Sequence, residues 1–116
     1  MLFSIIIPFY NCEKHIRKSL SSAINQTLSD KYYEVIAVND FSKDRSLEIA
    51  KKILHKKNNC RLINIKKNTI GVGFARNCGL KSSNGKYIYF LDSDDFLKKN
   101  ALYELKKILD KKINID

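Results

Sequence analysis

The chain has 116 residues, with 22 lysines and arginines against 12 acids, and a formal net charge of +10. That length allows one domain with one core, and 44% hydrophobic with 29% charged residues excludes a disordered chain. No run is long enough to span a bilayer, and Leu2 to Ile7, lacking a basic leader and a small-residue cleavage site, reads as a first strand rather than a signal peptide. A strong lysine excess points to an anionic partner: nucleic acid, phosphate ligands or an anionic membrane surface. The lysines are scattered as pairs, such as Lys51-Lys52, Lys66-Lys67 and Lys111-Lys112. That spread favours a solvated surface over a nucleic-acid groove, and no aromatic-and-basic signature or recognition-helix pair argues otherwise. The cysteines Cys12, Cys60 and Cys78 are odd in number and far apart, as free thiols in a reducing cytoplasm would be. Cys12 and His15 have zinc-like spacing without a second pair, which excludes a zinc site.

Phe3 to Ile7 predicts the first strand, closed by Pro8, which cannot donate to a ladder. Asn11 is placed to cap a helix starting at Cys12, with Ile16, Leu20, Ala23 and Ile24 as its apolar face. That helix fades near Gln26-Thr27. Glu34 to Val38 predicts a second strand, and Asn39-Asp40-Phe41-Ser42 a polar turn. Ser42 or Asp44 can cap the next helix, whose buried stripe is Leu47, Ala50, Ile53 and Leu54. Arg61 to Ile65 is a weaker third strand. A helix follows over 72–81, then Gly85 marks the turn into a fourth strand, and a last helix runs over 100–111 with Leu102, Leu105, Ile108 and Leu109 inward.

The fourth strand is the centre of the reading. Tyr87-Ile88-Tyr89-Phe90-Leu91 is a continuous apolar run that ends in Asp92-Ser93-Asp94-Asp95. Such a run reads as a strand buried on both faces. The βαβαβαβα pattern predicts an α/β fold with a parallel sheet and right-handed crossovers. Ligands then bind beyond the carboxyl ends of the strands. Pro8-Phe9-Tyr10-Asn11, Asn39-Asp40 and the acid cluster converge there. An aromatic ring to stack on a base, carboxylates for polar edges and hard oxygens for Mg²⁺ or Mn²⁺ suit a nucleoside diphosphate. Gly71-Val72-Gly73 lacks the third glycine of a phosphate loop and does not directly follow a strand, so it reads as a helix start. Tyr32, Tyr33, Tyr87 and Tyr89 read as packing aromatics, and His15 as a surface residue of the first helix.

Five segments, in order, resemble the family 2 glycosyltransferases: Ser4-Ile5-Ile6-Ile7-Pro8-Phe9-Tyr10-Asn11; Gln26-Thr27; Val38-Asn39-Asp40 with Ser42 and Asp44; Ala75-Arg76-Asn77-Cys78-Gly79; and Phe90-Leu91-Asp92-Ser93-Asp94-Asp95. Each is weak alone, but together they span almost the whole chain. The resemblance implies a GT-A (Rossmann-like) fold and an inverting transferase using a nucleotide-diphosphate sugar, with a UDP-sugar as the expected donor. By that resemblance Pro8 and Tyr10 would line the base site and Asp40 would hydrogen-bond the base. Asp92 would contact the ribose, Arg76 would lie near the nucleotide, and Asp94 would bind the Mn²⁺ or Mg²⁺ that bridges the diphosphate. A saccharide or glycolipid acceptor is implied, with work in the cytoplasm, peripherally at the inner face of the membrane.

Two departures stand out. Many relatives carry glycine where this chain has Phe41, so base contacts or turn geometry are expected to differ. The family's domain also continues past the metal motif and supplies the general base there. None of Glu13, Glu34, Glu48 or Glu104 matches a base position, and all four read as helix or strand-edge surface charges. Residues 1–116 are therefore expected to be the N-terminal donor-binding part of a transferase domain, truncated after the metal motif. The alternatives are a non-catalytic nucleotide- or metal-binding fragment and a basic interaction domain for anionic surfaces.

Overall fold

The computed structural model describes residues 1–67 and 72–114. Its elements run β1 (Phe3–Phe9), α1 (Ile16–Ile24), a 3-10 turn (Asp30–Tyr32), β2 (Tyr33–Asp40), α2 (Ser46–Leu54), β3 (Cys60–Ile65), α3 (Val72–Ser82), β4 (Tyr87–Phe90) and α4 (Ala101–Asn114). The strands form one parallel sheet in the order β3-β2-β1-β4. The predicted alternation and parallel pairing are what the structure contains. No described helix is long and apolar enough to cross a membrane.

The alternation of β1 divides the core. Phe3, Ile5, Ile7 and Phe9 pack with Ile16, Leu20, Ala23, Ala50 and Leu102, under α1, α2 and α4. On the opposite face, Ile6, Ile36 and Val38 pack with Ala75 of α3. Gly79 lets α3 lie close: a Cβ there would come 2.5 Å from Cγ2 of Ile6.

β1 extends through Pro8 rather than closing before it. The physical reason lies in the neighbour. Leu91 donates its amide to the Ile6 carbonyl, so Ile6 and Pro8 both face the β4 side. β4 stops opposite Ile6, and the missing amide of Pro8 costs no ladder bond.

Several expectations are corrected. β4 is not buried on both faces. It is the sheet edge, and Tyr87, Tyr89 and Phe90 are exposed. In α4, Leu102 is buried and Leu109 half-buried, but Leu105 is exposed and Ile108 is 53% exposed. α1 begins at Ile16, not Cys12: residues 12–15 form a turn in which His15 and Ile16 both donate to the Cys12 carbonyl. Asn11 has φ 46° and is no helix cap. Glu34 is not a surface charge; it is 5% exposed. It accepts from the Ser4 hydroxyl at 2.6 Å, the Asn84 amide at 2.6 Å and Arg61 at 2.7 Å. His15 is exposed, and the three cysteines are free thiols. Gly71 of the glycine pair lies outside the described residues.

Candidate functional site: the carboxyl edge of the sheet

Parallel strands bring three loops to one edge. β1 ends at Phe9 beside Asn39 of β2. Tyr10 follows and is 55% exposed, while Pro8 is buried within the strand. Asp40 closes β2 opposite Ile65 of β3 and is half-buried. Phe41 then turns the chain with φ 60°. The expectation that Phe41 would change the geometry of this turn is corrected, because Phe41 takes the left-handed backbone that glycine favours. The turn does need the left-handed region, and a phenylalanine occupies it. A shallow cavity of about 210 Å³ opens beside this turn, bordered by Phe41, Ser42, Leu47, Asn64 and Lys66.

The acid cluster follows β4. Buried Leu91 anchors its start, and Asp95 donates its amide to the Asp92 carbonyl, folding 92–95 into a tight turn. The Asp92 carbonyl also accepts from the Ser19 hydroxyl at 3.4 Å. The Asp92 carboxylate faces Arg76 of α3 at 3.6 Å. The Arg76 guanidinium lies over the Phe90 ring, 5.6 Å from its centroid, and its Nε is buried without a partner among the described residues. Arg76 and Asp92, named separately from sequence, are thus one ion pair at the crevice edge. Asp94 is exposed, and its carboxylate has no hydrogen-bond or ion-pair partner among the described residues.

Sequence reasoning missed how the loops are held. Asn11, Ser42 and Asp44 read as helix-capping types, but most of their bonds, with one from Cys12 to Ser46, run between the β1 and β2 loops. The N-cap of α2 is Arg45, without a side-chain cap bond; Asp44, one residue earlier, accepts from the Ser46 amide at 2.9 Å, and among the described residues Ser42 makes no bond to the helix start. Burial would raise the Asp44 pKa, but hydrogen bonds from Ser46 and from the Glu13 amide outweigh it and lower it. Cys12 sits between the loops; burial raises its thiol pKa against the lowering effect of bonds to Ser93 and Ser46. The signal in the sequence was the presence of Ser42 and Asp44 beside Val38-Asn39-Asp40. Away from the edge, Glu48 pairs with Arg45 and Lys52, and Glu104 with Lys107.

The acidic turn is positioned from below by α1. Gln26 Oε1 accepts from the Leu102 amide at the start of α4, and its Nε2 donates to the Lys98 carbonyl at 2.8 Å. Ser22 accepts from the Leu97 amide at 3.0 Å. The Gln26-Thr27 segment is therefore a brace for the segment that leaves the acid cluster.

A parallel sheet covered on both faces by helices, with aromatic and acidic residues at its carboxyl edge, defines an α/β protein of the GT-A type. The family model for glycosyl transferase family 2 matches residues 4–115, and the chain belongs to that family. It is similar to the poly(ribitol-phosphate) beta-N-acetylglucosaminyltransferase TarS of Staphylococcus aureus strain Mu50, 36% identical over 95% of this chain and 19% of that protein. The crystal structure of S. aureus TarS 1-349 in complex with UDP-GlcNAc superposes with a TM-score of 0.89, covering 96% of this chain and 32% of that one. The poly(ribitol-phosphate) beta-glucosyltransferase of Bacillus spizizenii is 42% identical over 88% of this chain and 16% of that protein. A mannosyltransferase of Pyrobaculum calidifontis, solved with GDP-Man and Mn²⁺, shares the fold with a TM-score of 0.74 at 21% identity, over 81% of this chain and 28% of that one. The chain spans about a fifth of the length of the TarS relative.

Proposed function

We propose that this chain binds the nucleotide-diphosphate sugar of a family 2 glycosyltransferase, with UDP as the nucleotide. The carrying observation is the convergence of Tyr10, Asp40 and the Asp92–Asp95 turn at the carboxyl ends of three adjacent strands. The UDP-GlcNAc complex of the similar TarS protein supports the choice of UDP. Tyr10 offers a ring for the base, and Asp40 offers an acceptor for the base's N–H. Asp92, paired with Arg76 at 3.6 Å, would contact the ribose hydroxyls in this reading.

The donor set fits a divalent ion of the Mg²⁺ or Mn²⁺ kind. No group of three or more His, Cys, Asp or Glu among the described residues could hold a metal by itself. Such ions are commonly anchored by one or two carboxylates, with phosphate oxygens and water completing the shell. Asp94, without another partner, would be that anchor. When bound, the ion supplies positive charge against the diphosphate leaving group. The chain's own share is positional: rigid strand ends fix the nucleotide so that the sugar carbon meets its acceptor in one orientation. The acceptor in this reading is a saccharide or lipid-linked saccharide at the cytoplasmic face of a membrane.

Calorimetric titration with UDP tests this, with and without Mn²⁺, for the natural chain and Asp94→Ala. Manganese-dependent binding that the variant loses is the expected result. A folded chain that ignores UDP, or a variant that binds as well as the natural chain, overturns the reading.

A further inference from the structure

We propose that Asn11, Ser42 and Asp44 are positioning residues that clasp the β1 and β2 loops together and so set affinity for the base half of the nucleotide. The proposal rests on the nucleotide reading above. Three consecutive amides cross from one loop to side chains of the other. Asn11 donates to Ser42 Oγ at 3.0 Å, Cys12 to Ser46 Oγ at 2.8 Å, and Glu13 to Asp44 Oδ2 at 3.2 Å. One bond runs back, from the Lys43 amide to Asn11 Oδ1 at 2.8 Å. The clasp continues inward, because the Ser42 amide donates to Asn39 Oδ1 and Asn39 Nδ2 donates to Asn64 Oδ1 at 2.8 Å.

The bonds fall beside two strained residues. Asn11, directly after Tyr10, has φ 46°, and Phe41, directly after Asp40, has φ 60°. Left-handed backbone at residues other than glycine costs free energy and persists where surrounding bonds over-determine it. Here each strained residue follows one of the two groups assigned to the base. A helix cap would explain the Asp44–Ser46 bond alone. It does not explain the second Asp44 oxygen on Glu13 or the reciprocal Asn11–Ser42–Lys43 pair. Their effect is to fix the Tyr10 backbone relative to Asp40 before a base arrives. Fixing a site beforehand raises affinity by removing ordering cost from the binding step.

The test uses Asn11→Gly, which keeps left-handed backbone available while removing Oδ1, and Ser42→Ala. Amide hydrogen exchange is followed at Asn11, Cys12, Glu13 and Lys43, and UDP and inorganic pyrophosphate are each titrated with Mn²⁺ present. Loss of one such bond corresponds to about tenfold in an equilibrium. Exchange at these amides and UDP dissociation should each rise by about that factor, while pyrophosphate affinity stays unchanged. A general loss of structure would weaken both ligands together, and that result overturns the proposal. So does natural-chain UDP binding that both variants retain, or unchanged exchange. Natural chain that binds neither ligand overturns the nucleotide reading itself, and the base-site assignment falls with it.

Discussion

Phe41 is a large residue in a conformation that suits glycine, with φ 60°. Its ring is half-buried and lies 5.8 Å from Lys43 Nζ. A left-handed residue with a Cβ costs about 1–2 kcal/mol, partly offset by the lower chain entropy of a non-glycine in the unfolded state. Removing the ring loses the same packing whether alanine or glycine replaces it. Phe41→Gly should therefore be more stable than Phe41→Ala by about 1 kcal/mol, the reverse of their order in a helix. Urea midpoints of the two variants decide it; alanine being the more stable would mean that the turn relaxes out of the left-handed region.

Glu34 makes the opposite kind of statement, a buried charge held by many donors. Burial raises its pKa, but the Ser4 hydroxyl, the Asn84 amide and Arg61 outweigh it and lower it below the ordinary 4.5. Arg61 also donates to the Ser82 carbonyl, and Ser4 accepts from the Gly85 amide at 2.8 Å, so the cluster ties β1, β2, β3 and the entry to β4. A carboxyl with a lowered folded pKa contributes stability that is fully present above the unfolded value and is lost as pH falls through the folded value. Glu34→Gln should cost about 3 kcal/mol at neutral pH, because donors are left without a charged acceptor. It should also flatten the loss of stability below about pH 4.5. Denaturation curves at pH 7 and at acid pH read both effects, and an unchanged acid limb would remove Glu34 from the account.

At the scale of elements, Gln26 joins the end of α1 to the start of α4 with bonds to Ser22, Lys98 and Leu102. Thr27 adds a backbone bond to Lys99 at 2.9 Å. Losing the side chain removes three hydrogen bonds, so Gln26→Ala should cost about 2–3 kcal/mol and loosen the segment that follows the acid cluster. Thermal unfolding measures the first effect; manganese-dependent UDP binding measures the second, which should weaken. The sequence showed element types well because periodicity reports local burial. Ile16, Leu20 and Ala23 mark one helix face wherever the helix lies. It could not show strand order. Tyr87 to Phe90 has the composition of a central strand, yet only pairing with β1 alone makes it an edge. The start of α1 was hidden for a related reason: Asn11 is a capping type locally, but its bonds go to residues about thirty positions away. The strand-end placement of Tyr10, Asp40 and Asp92 was readable, since it follows from topology. The clasp was not, since capping and cross-loop bonds use the same side chains.

Across the whole molecule, two properties oppose each other. Charge keeps copies apart, with a formal net of +10. The β4 edge brings them together. Among the described strands its outer side has no neighbour, and its Tyr87 and Tyr89 border an apolar groove of about 270 Å³ with Leu105, Ile108 and Leu109 of α4. Open apolar edges promote strand pairing between chains, while charges beside them restrain it. Here Lys86 precedes the strand and Lys112 borders the groove. Lysine repulsion is screened by salt: the Debye length falls from about 10 Å at 0.1 M to about 3 Å at 1 M. Apolar burial is not weakened by that change. Self-association should therefore increase with salt, the reverse of an assembly held by ion pairs. Light scattering at the two salt concentrations measures it, and Ile108→Lys, which adds a charge at an exposed site in the groove, should keep the chain monomeric at both. A natural chain that is monomeric in high salt would mean that a four-residue strand is too short an edge to pair.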